Sequence, residues 1–242
     1  MDGIKELCES WHESGSAVVL TGAGASTESG LLDFTGEGSE YGGASARELL
    51  TREFMLRDPG VFQEYCRNRL YSGFARPNIF HTSLAQWEKS GLVSAIITQN
   101  IDRLHQQAGS VNVIELHGNM LRVYCDECKR DASAETYFMR DARIRYCPHC
   151  RGIIRPDIIL YGEKLDSSVL DSALKLIDNV PMLIVAGTRM KVTAPLDIVE
   201  RFQRHPGVCV YIGDTPPAMC NFDILIEGRI GDITTELRKV MY

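Results

Sequence analysis

The chain has 242 residues, of which 44% are hydrophobic and 24% charged, as in an ordinary globular protein. The formal net charge of -6 argues against nucleic acid binding through phosphate neutralisation, and no apolar run reaches the roughly 18 residues of a membrane span. The acidic N-terminus lacks a signal-peptide profile. We therefore expect one large cytoplasmic domain with neither a membrane nor a nucleic acid partner.

Short apolar runs alternate with amphipathic segments along the chain. The runs predict buried parallel strands at residues 17–20, 95–97, 113–116, 182–186, 208–212 and 222–226. Helical spacing of apolar residues predicts helices over 4–11, 169–177 and 196–202. The alternation predicts an α/β fold with a doubly wound parallel sheet. Two stretches interrupt it and predict insertions, a glycine-rich loop with helical segments at 36–80 and a cysteine-containing module at 121–156.

The first predicted strand runs directly into a glycine turn, Gly22-Ala23-Gly24. A buried strand that enters Gly-x-Gly suits a backbone that turns tightly and approaches a pyrophosphate. Thr27 occupies the place of the third glycine of the dinucleotide fingerprint. A purely structural turn is therefore an equal alternative.

Polar residues follow two further predicted strands. Gln-Asn-Ile-Asp at 99–102 follows one, and His117-Gly118 follows the next. Ligands of open α/β sheets bind at the carboxyl ends of strands. A histidine at such an edge, with an ordinary pKa of about 6.5, suits general-base chemistry near neutrality. A hydrogen-bonded structural histidine is the alternative.

Four cysteines form two pairs with metal-binding spacing, Cys125 with Cys128 and Cys147 with Cys150. Two such knuckles offer four thiolates to one tetrahedral ion, which favours a structural zinc ion with no open position. Redox dithiols are the alternative. His149, inside the second pair, is expected at the surface. Buried thiols are expected at Cys8, Cys66, Cys209 and Cys220.

Taken together, these residues resemble the sirtuin family in kind and in order. The matching motifs are Gly-Ala-Gly-x-Ser at 22–26, Asp33-Phe34, Gln-Asn-Ile-Asp at 99–102, His117-Gly118, the paired cysteines and Arg-Pro-Asp-Ile-Ile-Leu-Tyr-Gly-Glu at 155–163. The resemblance runs from about residue 15 to 235. It implies a Rossmann-like NAD-binding domain of residues 1–35, 81–120 and 157–242, a helical insertion with the cofactor-binding loop at 36–80, and a zinc-binding module at 121–156.

The resemblance also implies roles for individual residues, with NAD as cosubstrate, one structural zinc ion and an acyl-lysine protein or peptide as substrate. His117 is implied as the catalytic base, and Asn100 as a group that positions the ribose and the attacking groups. The implied cofactor-binding residues are Gly22, Ala23, Gly24, Ser26, Thr27, Phe34, Gln99, Ile101, Asp102, Gly187, Thr188 and Arg189. The implied substrate-binding residues are Ile159, Leu160, Tyr161 and Gly162, which would pair with an extended peptide by strand addition.

The activity that the resemblance implies is NAD-dependent protein-lysine deacylation. Nicotinamide leaves, the acyl oxygen captures the ribose carbon, and His117 deprotonates a ribose hydroxyl. The products are free lysine, nicotinamide and O-acyl-ADP-ribose, and water must be excluded because it would consume NAD. The alternatives are an NAD glycohydrolase or ADP-ribosyltransferase with the same cofactor loop, and a non-catalytic nucleotide-sensing module.

Three positions depart from the family pattern. Thr35 stands where the family usually has an arginine near the phosphates, which removes a charge-assisted contact of about 1.5–3 kcal/mol if that contact is buried. Arg189 replaces the serine of Gly-Thr-Ser, and we hypothesise that it compensates. Tyr211 replaces an asparagine near the adenine ribose.

The helical insertion bears on the acyl group that the site would accept. Sirtuins that remove acidic acyl groups carry Tyr-x-x-Arg there, whereas this chain has Tyr65 followed by Arg67 and Arg69. On an α-helix an offset of one residue turns a side chain by about 100°. We therefore expect a neutral acyl group, with Tyr65 packed in the insertion and both arginines solvated.

Overall fold

A computed structural model of the chain describes residues 2–31, 40–41, 43–71, 73–139, 141 and 143–241. The strands are, in chain order, β1 (Ala17–Thr21), β2 (Glu40–Tyr41), β3 (Ala44–Ser45), β4 (Val93–Thr98), β5 (Val113–Glu115), β6 (Gly118–Cys125), β7 (Asp131–Ala132), β8 (Ile154–Ile158), β9 (Met182–Ala186), β10 (Val208–Gly213) and β11 (Ile224–Glu227). The α-helices are α1 (Asp2–Ser14), α2 (Ala46–Leu49), α3 (Arg52–Arg57), α4 (Pro59–Tyr65), α5 (Ile79–Lys89), α6 (Leu104–Ala108), α7 (Ala134–Phe138), α8 (Ser167–Ile177), α9 (Thr193–Phe202) and α10 (Ile230–Met241). A 3-10 helix covers Ala23–Ser29, and a π-helix covers Cys66–Leu70. None of the helices in the described part of the chain is long and apolar enough to span a bilayer.

A six-stranded parallel sheet organises the larger part of the chain. Its strand order is β11-β10-β9-β1-β4-β5. The direction of winding reverses between β1 and β9, which is the point where doubly wound sheets bind their ligands. The predicted fold class is confirmed, and each of the six predicted strands is present with its ends within two residues of the prediction.

Helices cover the sheet, which explains the strand pattern in the sequence. Every residue of β1 is buried, so side chains that alternate between the two faces are covered on both. Helices α1, α5 and α10 pack together around the apolar core, where Trp11 and Trp87 meet edge to face with ring centroids 5.2 Å apart. Helices α8 and α9 pack against each other. A strand covered on both faces needs a continuous apolar run rather than an alternating one.

Backbone contacts divide the chain into two compact units. The larger comprises the described residues of Met1–Asp33, Ala75–Leu116 and Asp166–Tyr242, and the smaller comprises those of Phe34–Phe74 and His117–Leu165. Relative to the predicted boundaries, residues 75–80 lie in the larger unit, whereas 117–120 and 157–165 lie in the smaller one. The pairing of Gly118 with Ile158 explains the latter difference, because β6 pairs with β8 at both of its ends, with an irregularity between Asn119 and Val123.

The smaller unit contains an antiparallel sheet of order β7-β6-β8 and the short helices α2, α3, α4 and α7. The buried Gln63 of α4 joins the helical insertion to the cysteine-containing segment. Its Nε2 donates to the carbonyls of Arg145 and Ile154, each at 2.9 Å, and its Oε1 accepts from Arg145 N at 2.7 Å. The two predicted insertions therefore form one compact unit.

The four unpaired cysteines differ from one another in burial. Cys66 and Cys209 are buried, as expected. Cys8 and Cys220 are only half-buried, so the expectation was wrong for these two. Cys8 lies at the margin of the apolar face of α1, and Cys220 lies in the loop between β10 and β11.

Candidate active site

The glycine turn after β1 packs directly against the turn after β9. Gly24 N donates to Gly187 O at 2.8 Å, and a Cβ at Gly24 would lie 2.8 Å from Gly187 Cα. Gly187 has φ +61°, and a Cβ there would lie 2.5 Å from Ala25 N. Both glycines are required because two backbones meet where no side chain fits. Part of the glycine signal is therefore structural.

Ser26 joins the glycine turn to the polar residues after β4. Ser26 Oγ donates to Asp102 Oδ2 at 2.7 Å and accepts from Asn100 Nδ2 at 3.1 Å, and Asn100 Nδ2 also donates to Gly22 O at 3.0 Å. These three side chains are buried. Burial raises the pKa of Asp102, although the N–H of Leu104 and the Ser26 hydroxyl oppose the shift by donating to its carboxylate. The carboxyl ends of β1 and β4 thus carry one connected set of hydroxyl, amide and carboxyl groups.

The residues after β9 join the same edge of the sheet. Gln99 Nε2 donates to Thr188 Oγ1 at 2.9 Å, and the same oxygen accepts from Met190 N at 3.1 Å. Ala23 and Ile101 are half-buried in the adjacent turns. Thr27 is exposed and its hydroxyl donates to Gly24 O at 3.0 Å. Phe34, the remaining residue expected in this set, lies outside the described residues, as do Asp33 and Thr35.

Two buried histidines lie behind this set and were missed in the sequence. His81 of α5 is 0% exposed and His105 of α6 is 1% exposed, with ring centroids 4.7 Å apart. Burial lowers the pKa of His81 to about 4. Burial, and then the neighbouring His81, lower the pKa of His105 well below its ordinary value. Both imidazoles are therefore neutral near neutral pH.

Hydrogen bonds connect the histidines to the predicted site. His81 Nε2 lies 3.4 Å from Ser26 Oγ, and His81 Nδ1 lies 2.8 Å from Asn78 Oδ1. His105 Nε2 lies 3.0 Å from Thr21 Oγ1. Asn78 caps α5 and its side chain accepts from the backbone N–H of His81. A polar cap residue with a hydrogen-bonding partner three positions later is the sequence signal that could have found His81.

In the smaller unit, His117 precedes β6 and is held by β8. Its side chain is half-buried, and its carbonyl accepts from Ile159 N at 3.1 Å. Gly118 has φ +71°, and a Cβ there would lie 2.0 Å from Asp157 O. Glycine is required after His117 because any side chain would collide with the backbone of β8.

The predicted substrate segment, Ile159–Gly162, is joined at its first residue to the backbone of His117. Its N–H groups are largely engaged within the unit: Ile159 N donates to His117 O at 3.1 Å, Leu160 N to Glu163 Oε2 at 2.9 Å, and Tyr161 N to Leu50 O at 2.8 Å. Within this segment Gly162 N is the donor that finds no acceptor among the described residues. Strand addition through this segment would therefore use carbonyl oxygens and Gly162 N–H rather than a full row of donors.

The four paired cysteines meet in the smaller unit. Their sulfur atoms all lie within 4.8 Å of one another, with 3.4 Å between Cys125 Sγ and Cys150 Sγ and 3.7 Å between Cys128 Sγ and Cys147 Sγ. Tetrahedral zinc with Zn–S bonds of about 2.3 Å requires sulfur separations of about 3.8 Å. The donor set and its geometry therefore fit a structural zinc ion, and the separations far exceed the roughly 2.05 Å of a disulfide. His149 is exposed, as expected.

The two cysteine knuckles have the same local geometry. Cys125 O accepts from Lys129 N at 3.0 Å, and Cys147 O accepts from Arg151 N at 2.9 Å. Lys129 and Arg151 both have positive φ, +59° and +68°. Each knuckle is thus a tight turn that closes around its own thiolate pair.

Comparison with known proteins gives one consistent result. The chain matches the sequence model of the Sir2 family over residues 22–194. It is 36% identical over 239 residues to the NAD-dependent protein deacetylase of Clostridium acetobutylicum, covering 96% of this chain and 97% of the relative. It is also 36% identical over 244 residues to the NAD-dependent protein deacylase of Pyrococcus furiosus, covering 97% and 96%. The chain belongs to the Sir2 family.

Solved structures of Sir2 proteins agree over the whole chain. Sir2 bound to an acetylated peptide has a TM-score of 0.85 and 32% identity, covering 98% of this chain and 97% of that chain. Sir2 in a complex with a p53 peptide and NAD+ has a TM-score of 0.86 and 32% identity, with the same coverage. The resemblance to sirtuins is confirmed.

Two of the departures from the Sir2 pattern have a visible setting. Arg189 is exposed in the turn after β9. Tyr211 is 1% exposed in β10, and its hydroxyl donates to Thr215 O at 2.5 Å. Burial raises the pKa of Tyr211, and a backbone hydrogen bond with Thr215 opposes the shift. Tyr211 therefore packs and orders its own loop, and it has a structural role that an asparagine could not fill.

The helical insertion corrects two expectations about this Sir2 protein. Tyr65 is buried, as expected, but Arg67 is only 5% exposed rather than solvated. Residues Cys66–Leu70 form a π-helix, with Tyr71 N donating to Cys66 O at 2.9 Å, so α-helical spacing does not apply to Arg69. Arg69 is exposed and lies over the Tyr41 ring, 5.7 Å from its centroid. Helical spacing therefore gives no support to the expected neutral acyl group, and that expectation stays a prediction.

Proposed function

We propose that this chain is an NAD-dependent protein-lysine deacylase that transfers the acyl group of a lysine side chain to the ADP-ribose part of NAD, releasing nicotinamide, free lysine and O-acyl-ADP-ribose with net consumption of one water molecule. The observation that carries the proposal is the similarity over the whole chain to Sir2 proteins that bind NAD+ and acylated peptides. The chain keeps the polar residues after β1 and β4, His117-Gly118 and the four cysteines in the family's order. NAD and an acyl-lysine protein or peptide are then the two substrates.

The residues at the carboxyl ends of β1, β4 and β9 are proposed to bind NAD. The buried hydroxyl, amide and carboxyl groups of Ser26, Asn100 and Asp102 are already fixed by one another, so they can orient a ribose and an amide without reorganising. Asn100 is proposed to position the reacting ribose. The further members of this set are Gly22, Ala23, Gly24, Thr27, Phe34, Gln99, Ile101, Gly187, Thr188 and Arg189.

His117 is proposed as the catalytic base that removes a proton from a ribose hydroxyl. Its partial exposure keeps it accessible to a substrate, in contrast to His81 and His105, which are fully buried. This contrast in exposure supports the choice of His117 among these three histidines. Ile159, Leu160, Tyr161 and Gly162 are proposed to receive the peptide, chiefly through carbonyl oxygens and Gly162 N–H.

Zinc is proposed to be structural. When bound by Cys125, Cys128, Cys147 and Cys150 it would tie the two knuckles together, and the four sulfurs leave no position for water or substrate. The cytoplasmic location expected from the acidic N-terminus and the absence of a long apolar run stays a prediction.

The test compares wild type and His117→Ala with NAD and a panel of acyl-lysine peptides that includes acetyl, longer apolar and acidic acyl groups. We expect wild type to release nicotinamide and O-acyl-ADP-ribose in equal amounts with at least one peptide. His117→Ala should lose the acylated product by roughly a hundredfold or more, because a general base contributes about that much.

Each other outcome favours a different function. Nicotinamide without the acylated product would favour an NAD glycohydrolase or an ADP-ribosyltransferase. Release of neither nicotinamide nor O-acyl-ADP-ribose with any peptide, together with measurable NAD binding, would favour a nucleotide-sensing module.

A further inference from the structure

The carboxylate of Glu163 is a hub of hydrogen bonds in the smaller unit. Its Oε1 accepts from Arg155 Nη1 at 2.6 Å, and its Oε2 accepts from Arg155 Nη2 at 2.9 Å and from Leu160 N at 2.9 Å. The Arg155 side chain is 1% exposed and that of Glu163 is 20% exposed. A bidentate guanidinium–carboxylate pair at this depth has a fixed geometry, because neither group can move without losing charge-assisted hydrogen bonds.

Arg155 extends this contact in two directions. Its Nη2 donates to Ile158 O at 2.6 Å, so Arg155 and Glu163 together hold both ends of the substrate segment. On the other side, Arg155 Nη1 lies 3.6 Å from Asp126 Oδ1, and Asp126 lies inside the first cysteine knuckle. Asp126 also accepts from Arg52 Nη2 at 2.8 Å. The pair therefore links the substrate segment to the first cysteine knuckle and, through Asp126, to Arg52 of α3.

We propose that the Arg155–Glu163 pair positions the segment Ile159–Gly162 for peptide recognition and has no part in NAD binding. This inference rests on the proposed function. By accepting from Leu160 N, Glu163 turns that donor inward and fixes which backbone groups face a peptide. Without the pair, the segment would have to be ordered on each binding event, which weakens the binding of the peptide in particular.

The first test measures the segment itself and needs no activity. Amide hydrogen exchange is followed across the chain in Glu163→Asp and Glu163→Gln. The Glu163→Asp variant should fold, because aspartate keeps the negative charge beside Arg155. Its side chain is one methylene shorter, so it cannot reach both Arg155 and Leu160 N. We expect the amides of Leu160 and Tyr161 to exchange at least roughly tenfold faster, with exchange in the β1 and β4 strands unchanged.

The second test separates peptide binding from NAD binding. In Glu163→Asp the KM for the best acyl-lysine peptide should rise roughly tenfold, while the KM for NAD and kcat stay at the wild-type values. Arg122→Gln is the matched control. It removes an ion pair with Asp157 that also joins β6 to β8, but the Arg122 side chain is 68% exposed whereas that of Arg155 is 1% exposed, so it should leave exchange and both KM values unchanged.

The outcomes distinguish the inference from the proposed function. Faster exchange with an unchanged peptide KM, or an equal rise in both KM values, would overturn the positioning role. Unchanged exchange in both Glu163 variants would show that the Arg155–Glu163 pair does not hold the segment Ile159–Gly162 in place. If wild type deacylates no peptide, the proposed function fails, and the role in peptide recognition fails with it. Faster exchange in the Glu163 variants would still show that the Arg155–Glu163 pair orders the segment.

Discussion

The buried His81 contributes to the acid sensitivity of the larger unit. His81 is fully buried, and its ring nitrogens face the neutral oxygens of Asn78 and Ser26. Its pKa of about 4 in the folded chain lies below the roughly 6.5 of an unfolded histidine. Between these values the unfolded chain binds a proton that the folded chain does not. Stability contributed by neutral His81 is therefore complete above about pH 6.5 and is lost as the pH falls towards 4.

We predict that His81 alone lowers the free energy of unfolding by roughly 2 kcal/mol between pH 7.5 and pH 5. Chemical denaturation at a series of pH values measures this loss. His81→Gln should lose less stability over the same interval, whereas His149→Gln, which alters an exposed ring, should follow wild type. The same pH slope in His81→Gln and wild type would contradict the prediction.

Gly118 is the residue whose replacement the fold tolerates least at the start of β6. Gly118→Ala would place a Cβ 2.0 Å from Asp157 O at a positive φ, so the two strands must separate. Gly109 also has a positive φ of +105°, but nothing lies within 4 Å of its missing Cβ. We expect Gly109→Ala to cost about 1–2 kcal/mol from backbone strain alone.

Gly118→Ala should cost clearly more than Gly109→Ala and should also abolish deacylation, because the collision acts on the backbone that holds His117. Thermal unfolding and initial rates, measured side by side, check both statements. Equal stabilities for the two alanine variants would show that β8 yields to the added methyl group.

At the scale of elements, the turns after β1 and β9 meet through glycine backbones. The turn after β9 continues into Thr188, which Gln99 holds, and into the exposed Arg189. Arg189 stands where the family usually has serine, and Thr35 stands where it usually has arginine. This exchange motivates the hypothesis that Arg189, in the turn after β9, supplies to NAD the positive charge that is missing at Thr35.

If Arg189 compensates for the lost arginine, Arg189→Ala should weaken NAD binding by roughly tenfold, the loss of one charge-assisted contact. Isothermal titration of the protein with NAD measures the change. Lys191→Ala removes an exposed positive charge two residues later and should leave affinity unaltered. Equal affinities for Arg189→Ala and wild type would refute compensation.

At the scale of the whole molecule, the two units owe their stability to different interactions. The larger unit has a parallel sheet with a continuous apolar core. The smaller unit has a three-stranded sheet, short helices and a cluster of four cysteine sulfurs. A bound structural zinc ion contributes folding free energy directly in such a module.

Removing zinc with a chelator should therefore unfold the smaller unit selectively. We expect hydrogen exchange to accelerate over residues 117–165 while β1, β4 and β9 keep their protection. Cys147→Ser should show the same pattern with less than one zinc per chain, and Cys8→Ser should retain one zinc per chain because Cys8 is not a ligand. Equal loss of protection in both units would contradict separate stabilisation.

Local patterns in the sequence determined the fold class, the four-cysteine cluster and the family. Continuous apolar runs mark strands covered on both faces, and Cys-x-x-Cys spacing fixes how far apart two thiolates can lie. These properties depend on residues close together along the chain. The six strands and the four-cysteine cluster were therefore predicted correctly.

Contacts between distant segments were decided by the tertiary structure alone. Gly24 meets Gly187, His81 meets Ser26, and Arg67 is buried although its charge predicted a solvated side chain. The use of the N–H groups of Ile159–Gly162 was likewise set by where His117, Leu50 and Glu163 come to lie. Burial and hydrogen bonding depend on the residues packed around a side chain. The type of a residue and its spacing along the chain do not specify which distant segment will supply its hydrogen-bond partner.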